Sequence, residues 1–208
     1  MNDITETDAY PIPRIDDLLD SLEGAKYFTS LDLLSGYWQI EMEEKDKPKI
    51  AFVCSQEKYE CERMLFGLKC VPMTFQRTMD EIFKEFMNEF VRVYIDDVLI
   101  YSKTFKEHLG HLRKVLEKLR KVNMKIKLKK CKFGQKEVEY LGHVVGENGI
   151  KPDPAKIEKA MKIKRPETLG EVRLFLGLCS YYRRFIKDFS KIAKPLTELT
   201  KKEKIKEK

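Results

Sequence analysis

The sequence predicts an α+β fold, and three observations carry that prediction. Residues 90–102, FVRVYIDDVLIYS, place two β-branched and aromatic runs around one acidic pair, the pattern of a β-hairpin. Residues 72–86 and 104–123 instead carry apolar side chains at helical spacing. Beyond Pro152-Asp153-Pro154 strand patterning stops and only helical patterning follows, so that segment reads as a boundary. At 208 residues the chain can bury a real core, as one large domain or two smaller ones.

Composition narrows the class. Hydrophobic residues make up 42% and charged residues 36%, the balance of a globular rather than a disordered chain. Lys+Arg 41 against Asp+Glu 34 leaves +7, an excess that permits a polyanionic partner without proving one. No apolar run approaches the roughly 18 residues needed to span a membrane, and MNDITETDAY has no signal-peptide core, so no membrane partner is expected. The five cysteines are odd in number, widely spaced and free of any CxxC, which suits a reducing compartment and argues against structural zinc or a disulfide framework.

In chain order, Ile12, Ile15, Leu18, Leu19 and Leu22 mark a short amphipathic helix closing at Gly24. Residues 26–33, KYFTSLDL, read as a buried strand with Asp32 near its end. A lone carboxylate there is costly unless paired or bound to a metal. Ser35-Gly36 is a break, with Tyr37 just past it. Residues 49–53 and 59–62 alternate around a polar turn at 55–57 and predict a second hairpin. Pro72 opens a helix to about Phe86. The helix from Thr104 to Asn123 has one apolar side, one basic side, and His108 and His111 three apart. Without further ligands those histidines are packing or surface residues. Strand patterning returns over 125–145, and Glu147-Asn148-Gly149 is a turn. Helices follow at 155–163 and after Thr168, where Glu171 completes a capping box, leading into Tyr181-Tyr182-Arg183-Arg184-Phe185. Arginines interleaved with aromatics suit a nucleic-acid strand, and they equally suit a core with solvated cations. The tail KKEKIKEK has no core-building capacity and is expected to be disordered.

The chemistry sits at the first hairpin. Adjacent Asp96 and Asp97 repel each other, and a divalent cation relieves that repulsion, since Mg²⁺ takes one or two carboxylates plus substrate phosphates. A solvated Asp-Asp turn is the plainer reading of the pair alone. If the Asp32 strand neighbours this hairpin, three carboxylates surround two ions, the arrangement that performs in-line phosphoryl transfer. Spacing alone does not separate a polymerase from a two-metal nuclease.

Longer segments carry a resemblance. YPIPRIDDLLDSLEGAKYFTSLDLLSGYWQI, FGLKCVPMTFQRTMD, YIDDVLIYS, EHLGHLRKVLEKL, KCKFGQKEVEYLGHVV, GIKPDPAKI and LGEVRLFLGLCSYYRRFIKDFSKIAKPLTEL together resemble the reverse transcriptase of gypsy-type LTR retrotransposons (Metaviridae), over roughly residues 10–200 and in the family's order. The resemblance implies a right-hand polymerase: 1–24 an N-terminal helix and fingers remnant, 25–148 a ferredoxin-like palm with a fingers hairpin at about 43–66, 149–200 a helical thumb, and 201–208 a disordered basic tail. It implies Asp32, Asp96 and Asp97 as catalytic carboxylates and, with the Leu33 carbonyl, as ligands of two Mg²⁺ ions, Mn²⁺ being able to substitute. It also implies Tyr37 as a gate excluding a 2′-OH, Phe66, Gly67 and Gln76 as nucleotide-pocket residues, and Lys130 as general acid toward pyrophosphate. Leu141, Gly142 and His143 resemble a primer grip, with Arg173, Tyr181, Arg183 and Arg184 on the thumb against nucleic acid.

Implied partners are an RNA or DNA template with primer, deoxynucleoside triphosphates, and the RNase H and integrase parts of a Pol polyprotein. The implied setting is intracellular: cytoplasmic, in virus-like particles, with the nucleus as a second compartment. There are departures. Lys69-Cys70-Val71 stands where the family usually has Thr-Asn-Ala, and the family's preceding fingers strands, which clamp the triphosphate, are not in the sequence, so a chain truncated at its N-terminal fingers is expected. An inactive, truncated or domesticated fragment that binds nucleic acid is therefore the alternative expectation.

Overall fold

The structure is a computed structural model that describes residues 2, 3, 5, 9–55 and 57–201. Apart from Lys201, which ends a helix, the expected basic tail lies outside the described residues. Helix α1 (Ile15–Asp20) precedes strand β1 (Tyr27–Asp32); the small hairpin β2 (Phe52–Val53) and β3 (Lys58–Tyr59) follows. Helix α2 (Val71–Phe83) leads to β4 (Val91–Tyr94), β5 (Asp97–Ser102) and the long helix α3 (Phe105–Lys121). Strands β6 (Lys132–Gln135), β7 (Glu137–Tyr140), β8 (His143–Gly146) and β9 (Gly149–Pro152) come next. The chain then continues into α4 (Pro154–Met161), α5 (Leu169–Tyr181) and α6 (Phe189–Lys201). It divides into two compact units, one up to Leu141 together with Val145–Gly149, the other Gly142–Val144 together with the chain from Ile150.

The first unit is built on a four-stranded sheet of order β4-β5-β1-β6, and β7, β8 and β9 form a three-stranded sheet in that order. β1 runs antiparallel to β5, and β5 to β4. The apolar stripes of α2 and α3 pack on one face of the four-stranded sheet. Phe75, Met79 and Phe83 of α2 and Val115 and Leu119 of α3 meet Leu31, Val91, Val93, Val98 and Ile100 in one buried cluster. Each such side chain contributes about 1.5–3 kcal/mol by leaving water, which fixes the helices over the sheet. Helix α3 starts on a capping box between Thr104 and Glu107.

His108 and His111 serve packing, as expected. His108 is buried between the Thr29 and Ser102 hydroxyls at 2.7 and 2.9 Å, and Ser102 also meets His111 at 2.8 Å. Burial first, and each ring's positive neighbours second, hold both imidazoles below their ordinary pKa.

Four expectations shift. Helix α1 begins only after Pro13, whose ring keeps the preceding residue extended. Lys47–Ile50 is a 3₁₀ turn instead of a strand, because Pro48 has no N–H for a ladder. The hairpin turn is Ile95-Asp96, one residue earlier than the acidic pair, since Asp97 already pairs with Tyr94 and with Asp32. The segment to residue 200 was expected to be helical but no last helix was bounded; α6 supplies it and carries Pro195 inside.

Candidate active site

The register of the central sheet decides the site. Asp32, the last residue of β1, lies directly opposite Asp97, the first of β5. Directly opposed residues share a face with Cβ atoms about 4.5–5.5 Å apart, so two carboxylates from distant parts of the chain face each other. Asp96 adds a third from the turn. That turn is strained: Ile95 has φ 51°, a region β-branched residues avoid. Positive φ at the first central residue and not the second is the II′ pattern that suits a twisted two-residue hairpin.

The carboxylates are open to solvent but crowded. Burial, then Asp97, then Asp32 raise the pKa of Asp96; burial and then Asp32 raise that of Asp97. Lys130 stands beside Asp32, its ammonium 3.3 Å from the carboxylate. Among the described residues no three carboxylate, histidine or cysteine side chains close tightly around a single point. Carboxylates of this kind suit a divalent cation that completes its shell with waters and substrate oxygens rather than an all-protein cage. Mutual repulsion among three acids is the property a cation relieves.

Leu33 forms a bridge with Ile126 in which the flanking residues exchange the bonds: Leu34 N donates to Lys125 O at 3.0 Å and Lys127 N to Asp32 O at 2.8 Å. In such a pair the Leu33 carbonyl points to the other edge of the strand, the β5 side. Tyr37 sits on a 3₁₀ turn (Gly36–Gln39) with its ring braced by Phe66 at 4.9 Å and Phe75 at 5.1 Å. Burial and then Asp96 raise its phenol pKa, so the ring stays neutral beside the acids. Phe66 is exposed, and Gly67 turns the chain with φ 89°.

Gln76 corrects an expectation. It is 0% exposed and does not line an open pocket. Its Nε2 donates to Asp80 at 2.9 Å and to Val93 O at 3.2 Å, and its Oε1 accepts from Ile95 N at 2.6 Å, so it holds the strained turn. Gly36 was read only as a break. A Cβ there would stand 2.9 Å from Phe75 Cζ and 3.0 Å from Asp96 Oδ1, so its bare backbone makes room for the Asp96 carboxylate. The only sequence signal was a glycine between Asp32 and Tyr37.

In the second unit His143 is 2% exposed, ringed by Tyr181, Tyr182 and Phe185 at 5.4–5.6 Å, and so corrects the expectation that it faces nucleic acid. Tyr182 donates to the Gly142 carbonyl at 3.1 Å. Arg173, Arg183, Arg184 and Tyr181 are exposed. Leu141, half-buried with φ 46°, belongs to the first unit.

Residues 1–145 match the family model described as reverse transcriptase (RNA-dependent DNA polymerase). The chain belongs to this family. It is 46% identical over 97% of its length to the retrovirus-related Pol polyprotein from transposon opus of Drosophila melanogaster, and 42% identical over 98% to that from transposon gypsy of the same organism. It spans about a fifth of each of those polyproteins (20%). Among solved structures it resembles the foamy viral protease–reverse transcriptase in complex with an RNA/DNA hybrid, with TM-score 0.83 and 27% identity over 97% of this chain and 27% of that one. The same protein in complex with double-stranded DNA gives TM-score 0.86, again with 27% identity and 97% coverage, against 42% of that chain. The fold is that of a right-hand polymerase.

Proposed function

We propose that this reverse transcriptase domain is the polymerase part of a gypsy-type retroelement enzyme, adding deoxynucleotides to a primer 3′-OH under the direction of an RNA or DNA template. The observation that carries the reading is the Asp32–Asp97 register pair with Asp96 beside it. In this reading residues 25–148 form the palm with a fingers hairpin at about 43–66, and residues 149–200 the thumb.

Asp32, Asp96, Asp97 and the Leu33 carbonyl would hold two Mg²⁺ ions, or Mn²⁺ in their place. When bound, such ions would supply a lowered pKa at the attacking hydroxyl and charge stabilisation at the leaving pyrophosphate. The chain's own groups do the rest. Tyr37, braced from two sides, fills the space a 2′-OH would need. Phe66 and Gly67 border the nucleotide, and Lys130 moves a proton to the departing phosphate. Leu141 and Gly142 hold the primer end while Arg173, Tyr181, Arg183 and Arg184 track the duplex. The RNase H and integrase parts of the polyprotein are its covalent partners, and the cytoplasm (in virus-like particles) and nucleus its compartments.

Primer extension on an RNA template with Mg²⁺ tests the reading. Asp96→Asn is expected to lower extension about a hundredfold or more, because several kcal/mol of charge stabilisation go with the carboxylate. Retention of the wild-type rate by that variant, or a well-folded parent that binds primer–template without extending it, would overturn the assignment.

A further inference from the structure

A cleft between the Leu34–Glu41 and Val122–Lys125 segments is left unused by the polymerase reading. Its volume is about 610 Å³, within the range of sites that enclose a small organic molecule. Leu34, Trp38, Ile40, Ile82 and Met124 give it apolar walls. Trp38 is the sole tryptophan of the chain and is 54% exposed, its ring edge held against Phe66 at 5.6 Å.

The cleft is preorganised by one side chain. Gln39 donates to the carbonyls of Leu34 and Lys125 at 2.9 and 3.0 Å and accepts from Lys125 N at 2.7 Å, locking two backbone segments together. Charge at the rim is unbalanced. Arg63 is paired with Glu41 at 3.2 Å and donates to Gln39 O. The Lys125 ammonium has no such pair among the described residues. One aromatic wall, an apolar floor and one uncompensated cation define a ligand class.

We propose that this cleft binds a small planar aromatic carboxylate, ring against Trp38 and carboxylate on Lys125. The site has a route to the chemistry. Leu34 and Lys125, joined by the Leu34 N–H, form the wall, and the same ladder continues to the bond from Lys127 N to Asp32 O. A ligand wedged there bears on the backbone that aims Asp32, so occupancy slows the proposed polymerase; this coupling rests on the reading above.

Trp38 reports binding directly. Dansylglycine, an aromatic carboxylate that accepts excitation energy from tryptophan, is titrated into the full chain, with dansylamide as the neutral analogue. Saturable energy transfer is expected, about tenfold weaker for dansylamide and for Lys125→Gln, as loss of a charge-assisted contact requires. It should be unchanged in Lys156→Gln on α4. Absence of saturation, or equal strength for dansylamide and in Lys125→Gln, overturns the site. With dansylglycine saturating, kcat for primer extension should fall. Saturable binding with unaltered extension refutes the coupling to Asp32. An inert parent refutes the polymerase reading instead, and the fluorescence result still decides the cleft.

Discussion

At Gly36 the absence of a side chain is itself a structural requirement. The nearest atoms to a Cβ there belong to Phe75, which is fully buried, and to the Asp96 carboxylate. Gly36→Ala must therefore move the acid or the ring that braces Tyr37. We expect about 1–3 kcal/mol of destabilisation, as for overpacking elsewhere, and a larger loss in primer extension than in stability, since misplacing a reacting group by about 1 Å can cost a hundredfold. Denaturant melts beside kinetics separate the two, and an extension rate within twofold of the parent would contradict the argument. Asp97 makes a prediction of opposite sign. Its pKa is raised, burial first and Asp32 second, so the folded chain holds a proton that the unfolded chain releases. Stability then falls as pH climbs from the ordinary carboxylate range through the raised value. Asp97→Asn should melt higher than the parent at about pH 7 without divalent ions, and the advantage should vanish near pH 3, where both carry neutral groups; melting temperature against pH reads this. Asp32 was legible as a lone carboxylate among apolar residues, and Asp96-Asp97 as an adjacent acidic pair between two apolar strands. The role of Gly36 was not, because what fills its missing side chain comes from α2 and from the hairpin.

The hairpin was legible as an element and misread by one residue in its turn. Alternation gave β4 and β5, but a turn placed at Asp96-Asp97 assumes that turn-formers occupy turns. Here Ile95 takes the left-handed position, and the stabilisation comes from another element: Gln76 of α2 accepts from Ile95 N and donates to Val93 O. Nothing local to the hairpin records that. Gln76→Leu keeps the volume but strands a backbone N–H and a carbonyl, each worth about 1–3 kcal/mol when left unmade. We expect about 2–4 kcal/mol of destabilisation on those grounds. Ile95→Gly removes the strain at φ 51°, so the double variant should lose less than the sum of the singles. Strict additivity in urea melts would show that the glutamine and the turn are not coupled. Helix α6 was legible as helical patterning but not in its bounds. Its Ile192, Leu196 and Leu199 repeat at helical spacing, but Pro195 inside the run reads as a breaker when the sequence is taken alone.

Across the whole molecule, the two units differ in how much they bury. The first has a continuous core from sheet to helices, including Phe28, Phe75, Phe83, Leu99 and Ile100 at 0% exposure. In the second, the buried hydrophobic side chains among the described residues reduce to Val172, Tyr182 and Ala193, while Met161, Leu174 and Ile192 stand exposed. The change of pattern after Pro152 was visible in the sequence, because strand alternation gives way to helical spacing. The thinness of the second core was not, since an apolar residue at helical spacing looks the same whether or not a partner covers it. Small cores leave little margin against chain entropy, so the second unit should open first. Two signals separate the units. Trp38 reports the first alone, whereas far-UV ellipticity also reports α4, α5 and α6 of the second. On titration with urea, ellipticity should begin to fall at a lower concentration than the one that changes Trp38 emission. Leu174→Lys on the exposed face of α5 should leave both transitions in place, while Val172→Ala should advance the first transition by about 1–3 kcal/mol of lost stability and leave the second unmoved. Coincident transitions in the parent, or a shift of the Trp38 transition by Val172→Ala, would mean that the two cores unfold as one.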